Sequence, residues 1–367
     1  MSVVIRVLHI VSSLGTGSGV MSVLMSYHRK IDRSRVQFDY LATREAENTF
    51  EAEILALGGR VYHLPRPSLT PEFRKQTEEF FRAHGGEYPV VHAHPIYASA
   101  IFGKTAVKYG VKRVIQHSHT SKYSANPVSA ARNFATLALF GRRATDFAAC
   151  SGVAKKMFFW KKSEEVYLMR NAIDLEKFTF SGEKRNAIRE ALGIGRDALV
   201  LGHVGRFAKE KNHSFLLDVF SRLRKLQPEA RLLLLGDGEL FEAVKAEAAR
   251  AGLADGVIFA GRQADVGAYM SAMDVFVMPS LFEGLGIVLI EAQANGLPCV
   301  AASTIPAECN ISGDVVFLTL DHQEEWALRV LAMANERRCG RKDMLTKSGY
   351  DISVEANSLA EYYLSLT

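Results

Sequence analysis

Short runs of apolar, often β-branched residues alternate along the chain with longer segments of helical periodicity. This alternation is typical of parallel strands joined by crossover helices. The predicted strands of the first half are residues 6–11, 36–41, 60–63, 90–92, 113–117 and 146–150. Those of the second half are residues 199–204, 230–235, 257–260, 275–278, 299–302 and 315–318. The pattern therefore predicts an α/β protein with two doubly wound, Rossmann-like domains that face each other across a cleft, where ligands of such sheets bind.

The strand pattern lapses around residues 171–196, which marks the join between the two halves. We expect one domain over residues 1–175 and another over 176–350. Residues 351–367 form an amphipathic segment, expected as a helix that either closes the second domain or crosses back to the first. A length of 367 residues suits two domains.

The apolar N-terminal stretch carries Arg6 and His9 and lacks a cleavage site, so we expect a first buried strand and no signal peptide. No apolar run approaches the roughly 20 residues that span a bilayer. Four scattered cysteines without C-x-x-C spacing favour reduced thiols and a cytoplasmic protein, with neither disulfides nor a zinc site.

The charge is unevenly distributed. The net charge is +5, but residues 88–163 hold 12 Lys and Arg against the single acid Asp146. Such a stretch favours an anionic surface or substrate, or it is an ordinary solvated face. Cations bracket large apolar side chains at residues 155–162, which suits peripheral binding to the anionic inner face of the plasma membrane through residues 104–162. The alternative is a helix whose aromatic rings pack inward. We expect no nucleic-acid binding, because no reading module accompanies the sequence pI of about 8.9.

A glycine-rich turn follows the first predicted strand and precedes a helix. Gly17 and Gly19 would let the backbone approach a diphosphate at the helix N-terminus. The turn is not the dinucleotide fingerprint, because Val20 stands where the third glycine is required. Asp39, about 20 residues further on, keeps a nicotinamide site open. A tight turn without a ligand is the other interpretation.

Two cations and two acids are the candidate chemistry of the second half. Arg206 and Lys211 follow the strand at 199–204, where they suit a leaving diphosphate or are exposed loop charges. Glu283 and Glu291 stand eight apart beside two glycines and flank an apolar helix. They suit hydrogen bonds from sugar and ribose hydroxyls respectively, whereas isolated acids are more often solvated.

These segments carry a resemblance to a known family. The pattern E-x7-E over residues 283–291, the Gly-Arg…Lys element at 205–211 and Gly236-Asp237-Gly238 resemble the retaining glycosyltransferases of family 4, which have the GT-B fold. The similarity spans nearly the whole chain. Through Gln116 to Thr120 it is greatest to enzymes of exopolysaccharide and capsule biosynthesis.

The resemblance implies roles for single residues. Arg206 and Lys211 would hold the donor diphosphate together with Gly17 and Gly19, and Glu291 would hold the ribose. Glu283, Gly284, Leu285 and Gly286 would contact the transferred sugar, where Glu283 orients the sugar and is no nucleophile. His119 would be the active-site histidine, and only the resemblance distinguishes it from His117.

The expected reaction is sugar transfer with retention from a nucleotide diphosphate donor, UDP being favoured by the subfamily, to a glycan or lipid-linked sugar. The donor's own phosphate oxygen would take the acceptor proton, while the protein supplies positioning and charge stabilisation. Neither a metal nor another cofactor is expected, so activity should persist in EDTA. The alternatives are a nucleotide-sugar epimerase, a nicotinamide-dependent oxidoreductase and a catalytically silent nucleotide-sugar-binding subunit.

Overall fold

The structure is a computed structural model that describes residues 4–68, 70–119, 131, 134–135, 143–159, 164–283, 285–336, 338 and 340–367. Contacts within the chain divide it into two units. The first unit comprises Met1–Ile173 and Gly349–Thr367, and the second comprises Asp174–Ser348. The sequence analysis placed these divisions after residues 175 and 350.

Each unit is built on one parallel sheet. Among the described residues of the first unit, seven strands lie in the order β3-β2-β1-β4-β5-β6-β7. They are β1 (Ile5–Val11), β2 (Val36–Ala42), β3 (Val61–His63), β4 (Val90–Ala93), β5 (Arg113–Ser118), β6 (Asp146–Ala149) and β7 (Tyr167–Leu168). In the described part of the second unit, six strands lie in the order β10-β9-β8-β11-β12-β13. They are β8 (Val200–Val204), β9 (Arg231–Leu235), β10 (Val257–Gly261), β11 (Val275–Met278), β12 (Cys299–Ala302) and β13 (Val315–Leu318).

Helices connect the strands. In chain order they are α1 (Gly19–Lys30), α2 (Glu51–Ala56), α3 (Pro71–His84), α4 (Ala98–Lys108), α5 (Gly152–Phe159), α6 (Leu175–Phe178), α7 (Gly182–Ala191), α8 (His213–Leu226), α9 (Phe241–Arg250), α10 (Val266–Ala272), α11 (Ile287–Ala294), α12 (Gln323–Met333), α13 (Lys342–Lys347) and α14 (Ile352–Ser365). The last helix, α14, belongs to the first unit and packs against α1 and β2.

Local chemistry explains where these elements begin and how they pack. The Ser18 side chain caps α1 by accepting a hydrogen bond from the Met21 N–H, and cations occupy the last turn, at the negative end of the helix dipole. In the second sheet, Gly202 allows Met273 to pack directly on β8, because an added Cβ would lie 1.8 Å from the Met273 sulfur. Trp326 of α12 is buried, and its indole N–H donates to the Thr319 carbonyl at 2.7 Å.

The two parallel, doubly wound sheets confirm the predicted fold class. All twelve predicted strands occur, each with ends within one residue of the prediction. The sequence analysis missed β7, which is only two residues long. In both sheets the chain winds outward from a central first strand, so the strand order reverses between β1 and β4 and between β8 and β11. Ligands of this architecture bind at the carboxyl ends of the strands beside such a switch point.

Candidate active site

Two loops of the second unit leave its sheet side by side at the switch point. The loop after β8 passes through a 3₁₀ turn, Lys209–Lys211, into α8. The loop after β11 leads to α11. A backbone hydrogen bond of 2.8 Å from the Leu281 N–H to the Glu210 carbonyl joins the loops, and the Asn212 side chain donates to the Pro279 carbonyl at 3.3 Å. These bonds fix the position of the polar side chains that follow.

Lys211 and Glu283 form an ion pair between these loops. The Lys211 Nζ lies 2.5 Å from Glu283 Oε1, and the two side chains are only 17% and 13% exposed. Two charges that are this close and this well shielded from water attract each other strongly. No described residue donates a hydrogen bond to Glu283 Oε2, so this oxygen is available to a hydroxyl group. The structure therefore brings together a cation and an acid that the sequence assigned to diphosphate and sugar.

Arg206 lies on the same strand end but not in this ion pair. Its side chain is 68% exposed and pairs with Glu239 at 2.9 Å. Two glycines with positive φ, Gly236 and Gly238, bring the loop after β9 against the backbone of the Arg206 loop. An added Cβ would lie 1.9 Å from the Gly205 carbonyl oxygen at Gly236, and 2.5 Å from the Phe207 carbonyl oxygen at Gly238. The backbone at Arg206 is thus closely packed. Its side chain is free to reorient, because an exposed ion pair contributes little to stability.

Glu291 lies in α11, about one turn after the helix begins at Ile287. It is partly buried, no described residue donates to its carboxylate, and burial raises its pKa from 4.5 to about 8. Leu285 and Gly286 directly precede α11, and Gly286 is its N-cap residue. An added Cβ at Gly286 would lie 3.2 Å from the Met278 methyl group. Gly284 lies outside the described residues. A half-buried carboxyl group to which no described residue donates is suited to a ligand that supplies hydroxyl groups.

The glycine loop of the first unit lies at the other switch point. An added Cβ at Gly17 or Gly19 would meet no atom of the described residues within 4 Å, and neither residue has a positive φ. Nothing in the described structure therefore requires glycine at these two positions. A small pocket beside the loop is lined in part by Ser12, Ser13 and Ser18. The loop has room for a ligand at the N-terminus of α1.

Asp39 has a structural role that excludes the ribose contact considered for a nicotinamide site. It is fully buried, and Arg6 donates to both of its oxygens at 2.5 and 2.6 Å. Tyr88 and the Arg60 backbone N–H donate to it at 2.9 and 2.7 Å. Four hydrogen bonds satisfy this carboxylate within the first unit.

His119 follows β5 and is the end of a chain of hydrogen-bonded imidazoles. Its Nε2 lies 2.7 Å from His94 Nδ1, and His94 Nε2 lies 2.9 Å from His9 Nδ1. A second chain runs beside the first: Tyr363 Oη lies 2.6 Å from His92 Nδ1, and His92 Nε2 lies 3.1 Å from His117 Nδ1. The His117 ring stacks on His119 with a centroid separation of 3.8 Å. His119 is thus held by a buried network.

Burial keeps these imidazoles neutral. It lowers the pKa of His119 to about 4 and that of His92 to about 3. Burial, followed by repulsion from neighbouring imidazoles, lowers the pKa of His9, His94 and His117 well below 6.5. Removing a charged imidazolium from water is unfavourable when no carboxylate compensates it.

Two groups of three histidines have the composition of a transition-metal site. The ring nitrogens of His9, His92 and His94, and those of His94, His117 and His119, lie within 4.8 Å of one another. The separations of 2.7 and 2.9 Å along the first chain are shorter than the distance of about 3.3 Å between two nitrogens on one tetrahedral zinc. The chain therefore fits direct N–H···N hydrogen bonds better than a shared metal.

The sequence analysis missed His9, His92, His94 and Glu239. A signal for the histidines was present, because residues two apart in a strand share a face, as do the pairs 92/94 and 117/119. The signal for Glu239 was absent, since its loop gave no indication that it would meet Arg206.

The basic region is described at residues 104–119, 131, 134–135, 143–159. In α5, Phe158 and Phe159 are buried, so these rings pack inward as the alternative interpretation held. Val153 is 44% exposed, and Lys156 is exposed beside it. None of the helices that the structure describes combines the length and apolar character needed to cross a membrane.

Comparison with known proteins gives a consistent assignment. The family model for glycosyl transferases group 1 matches residues 184–343. The chain is 34% identical to a putative glycosyltransferase, EpsF, of Bacillus subtilis over 98% of this chain and 96% of that protein. It is 27% identical to an Escherichia coli UDP-Gal:alpha-D-GlcNAc-diphosphoundecaprenol alpha-1,3-galactosyltransferase over 62% of this chain and 61% of that protein.

Solved structures agree on the fold. Anabaena HepE in complex with UDP-glucose has a TM-score of 0.76 and 19% identity, and covers 98% of this chain and 99% of its own. A glycosyltransferase from Rickettsia africae matches with a TM-score of 0.79 and 15% identity, over 99% of this chain and 98% of its own. The family model and the EpsF relative support neither the epimerase nor the oxidoreductase alternative.

Proposed function

This chain belongs to the group 1 glycosyltransferases, and we propose that it transfers a sugar from a UDP-linked donor to a glycan or lipid-linked sugar in the synthesis of a surface polysaccharide. The observation that carries this proposal is the Lys211–Glu283 ion pair at the switch point of the second sheet. A cation for the diphosphate and an acid for sugar hydroxyls are in contact there, and Glu291 follows in the next helix, α11.

The choice of UDP draws on the relatives. The Escherichia coli relative is named for UDP-Gal, and the HepE structure holds UDP-glucose. A relative from Mycolicibacterium smegmatis, 26% identical over 77% of this chain, is named for GDP-mannose. The name of the Escherichia coli relative gives a diphosphoundecaprenol-linked sugar as its acceptor, which supports a lipid-linked acceptor.

The proposed site combines the residues as follows. Lys211 and Arg206 neutralise the diphosphate, and Arg206 reaches it by leaving its exposed partner Glu239. Glu291 accepts hydrogen bonds from the ribose hydroxyls, which favours its ionised form. The transferred sugar is held by Glu283, Gly284, Leu285 and Gly286, the diphosphate is also contacted by Gly17 and Gly19, and His119 contacts the reacting end.

We assign a retaining, metal-independent mechanism to this site. Charge grows on the diphosphate as the glycosidic bond breaks. Lys211, held by its ion pair, and Arg206, which reorients towards the diphosphate, stabilise this charge. The acceptor hydroxyl attacks the face that the diphosphate leaves, and its proton passes to a phosphate oxygen of the donor. Glu283 keeps its ion pair and orients the sugar through Oε2, so it forms no covalent intermediate.

The acceptor is expected at an anionic membrane surface. The basic region at 104–162 presents Lys156 beside the exposed Val153 on α5. Lysines attract anionic headgroups by about 1 kcal/mol each near the surface. The inward packing of Phe158 and Phe159 makes charge the main source of this attraction.

A transfer assay tests the proposal. The protein is incubated in EDTA with single UDP-sugars and GDP-mannose, with and without polyprenyl-diphosphate-linked sugars, and proton NMR follows the anomeric signals. The expected result is acceptor-dependent release of UDP and a product with the donor's anomeric configuration. An inverted product, loss of activity in EDTA, or conversion of the donor without an acceptor would contradict the corresponding part of the proposal.

A further inference from the structure

The chain His9–His94–His119 connects the interior of the first sheet to the predicted active-site histidine. His9 lies on β1, His94 follows β4 and His119 follows β5, so the chain crosses the switch point. His94 uses both ring nitrogens, one toward each neighbour. A neutral imidazole carries one N–H and one lone pair. The proton positions of the three rings are therefore coupled.

Only two arrangements of protons satisfy both hydrogen bonds. In the first, His9 Nδ1–H donates to His94 Nε2, and His94 Nδ1–H donates to His119 Nε2. In the second, both bonds run the other way, and His9 carries its proton on Nε2. His9 Nε2 is buried, and none of the described residues forms a hydrogen bond with it. The second arrangement leaves the buried Nε2–H of His9 unpaired. The first leaves a lone pair at that position and places the free N–H on Nδ1 of His119, at the other end of the chain, which is not among the buried, unpartnered atoms of the described residues. Unpaired buried N–H groups are rare in folded proteins.

The surroundings favour the neutral state of every ring. Among the described residues, the titratable groups that face the chain are His28 and Tyr40 from α1 and β2, His92 and His117 from β4 and β5, and Tyr363 from α14. No described carboxylate hydrogen-bonds to any of these imidazoles. In a histidine–aspartate pair, the carboxylate accepts a hydrogen bond from the imidazole and makes that imidazole more basic. In the first arrangement, the partner of His119 is instead a neutral imidazole that donates to it.

We propose that His94, itself fixed by His9, is a positioning residue that holds His119 in the tautomer with its proton on Nδ1. His119 then presents a neutral N–H donor to a substrate oxygen and does not act as a base. No described residue hydrogen-bonds to Nδ1 of His119. Stacking on His117 fixes the ring plane, and the bond from His94 fixes its rotation. This inference rests on the contact between His119 and the substrate in the proposed function.

Nitrogen-15 NMR of the histidine-labelled, full-length wild-type protein tests the tautomer without any variant. His119→Gln identifies the His119 signals. The inference predicts that Nδ1 of His119 has the shift of a protonated nitrogen and Nε2 that of an acceptor, from pH 5 to 8. In His94→Leu the Nε2 lone pair loses its donor, so a mixture of tautomers is expected. His94→Asn retains a donor near the Nδ1 position and should restore the wild-type spectrum. A proton on Nε2 in the wild type would overturn the inference.

Activity profiles supply the second readout. In His94→Leu, protonation of His119 no longer breaks a hydrogen bond, so its pKa should rise toward 6.5. We expect kcat/KM at pH 7 to fall about 10- to 100-fold, mainly in kcat, with a new decline below about pH 6.5. His94→Asn should recover most of the activity without that decline. His28→Gln, which replaces a buried histidine outside the chain, is the matched control and should keep the wild-type profile.

The two readouts separate this inference from the proposed function. A wild-type profile in His94→Leu would overturn the positioning role. Full activity of His119→Ala would contradict the role of His119 in the proposed function, and the spectrum of the wild-type protein reports the tautomer in either case.

Discussion

The Lys211 ammonium lies 2.5 Å from a carboxylate oxygen of Glu283, although the two residues stand 72 positions apart in the chain. The ion pair joins the loops after β8 and β11, which are neighbours only because the strand order reverses there. A ligand that binds at this edge meets a cation whose position is already fixed. Such preorganised charge is the largest contribution that many enzymes make to their transition states.

Lys211→Ala should reduce kcat/KM for the sugar donor by about 100- to 1,000-fold, the loss typical of a removed charge-stabilising group. The variant also leaves Glu283 partly buried without its counter-charge. Steady-state kinetics with a saturating acceptor measure the effect. Lys209→Ala, an exposed lysine in the same 3₁₀ turn, is the matched control and should stay within about threefold of the wild type. Equal losses in both variants would argue against a specific role of Lys211.

Glu291→Gln should change how stability depends on pH. Burial raises the pKa of Glu291 from 4.5 to about 8, so the folded state binds its proton more tightly than the unfolded state. This contribution is fully present below pH 4.5 and is lost as the pH rises through 8. The ligand-free wild type should therefore lose stability relative to Glu291→Gln between pH 5 and 8.5. Thermal unfolding across this range measures the difference, and parallel curves for the two proteins would refute it.

Gly17→Ala should impair donor use without impairing folding. The added methyl group meets no protein atom within 4 Å and the backbone needs no positive φ, so the free energy of unfolding should change by less than about 0.5 kcal/mol. KM for the donor should rise if the diphosphate approaches this backbone. Gly252→Ala is the control, because it should lower stability without changing the kinetics. The φ of +67° strains alanine there, and Gly252 lies outside the proposed site. Unchanged kinetics of Gly17→Ala would remove the diphosphate role of this loop.

Binding to anionic vesicles should depend on the basic region. Replacing Lys155 and Lys156 of α5 by Glu should lower flotation with phosphatidylglycerol vesicles and leave the residual binding to neutral vesicles unchanged. The effect should diminish at high salt. Lys225→Glu with Lys245→Glu, two exposed lysines of the second unit, changes the net charge equally and serves as the control. Flotation that does not improve with anionic lipid in the wild type would eliminate the membrane proposal.

Local patterns predicted the strands and indicated single candidate site residues, but they did not predict the partners of those residues. The strands followed from apolar runs, and Glu283 and Glu291 from their spacing beside glycines. That Lys211 meets Glu283, and that Arg206 meets Glu239, depends on which loops become neighbours, which is a property of strand order. For Asp39, the local pattern suggested a role that the structure does not support. Its spacing suited a ribose contact, whereas its carboxylate accepts hydrogen bonds from Arg6 and Tyr88, which are distant in sequence.

The histidine network shows the same limit. His9, His94 and His119 come from three strands that lie side by side in the sheet but are far apart in sequence. Alternation predicts that His117 and His119 share a face, yet it gives no indication of which ring nitrogen meets which. Hydrogen-bond direction is decided by burial and by the unpaired nitrogen of His9.

Thermal unfolding with a panel of UDP, GDP, ADP and NADH in EDTA, repeated on Lys211→Ala, tests whether Lys211 holds the diphosphate of a UDP-linked donor. A ligand at about 100 times its dissociation constant adds about 2.7 kcal/mol of stability, which raises the melting temperature by a few degrees. We expect UDP to stabilise the wild type, the other three ligands to do so less, and Lys211→Ala to abolish the shift. Stabilisation by GDP or NADH alone, or an undiminished UDP shift in Lys211→Ala, would contradict this expectation.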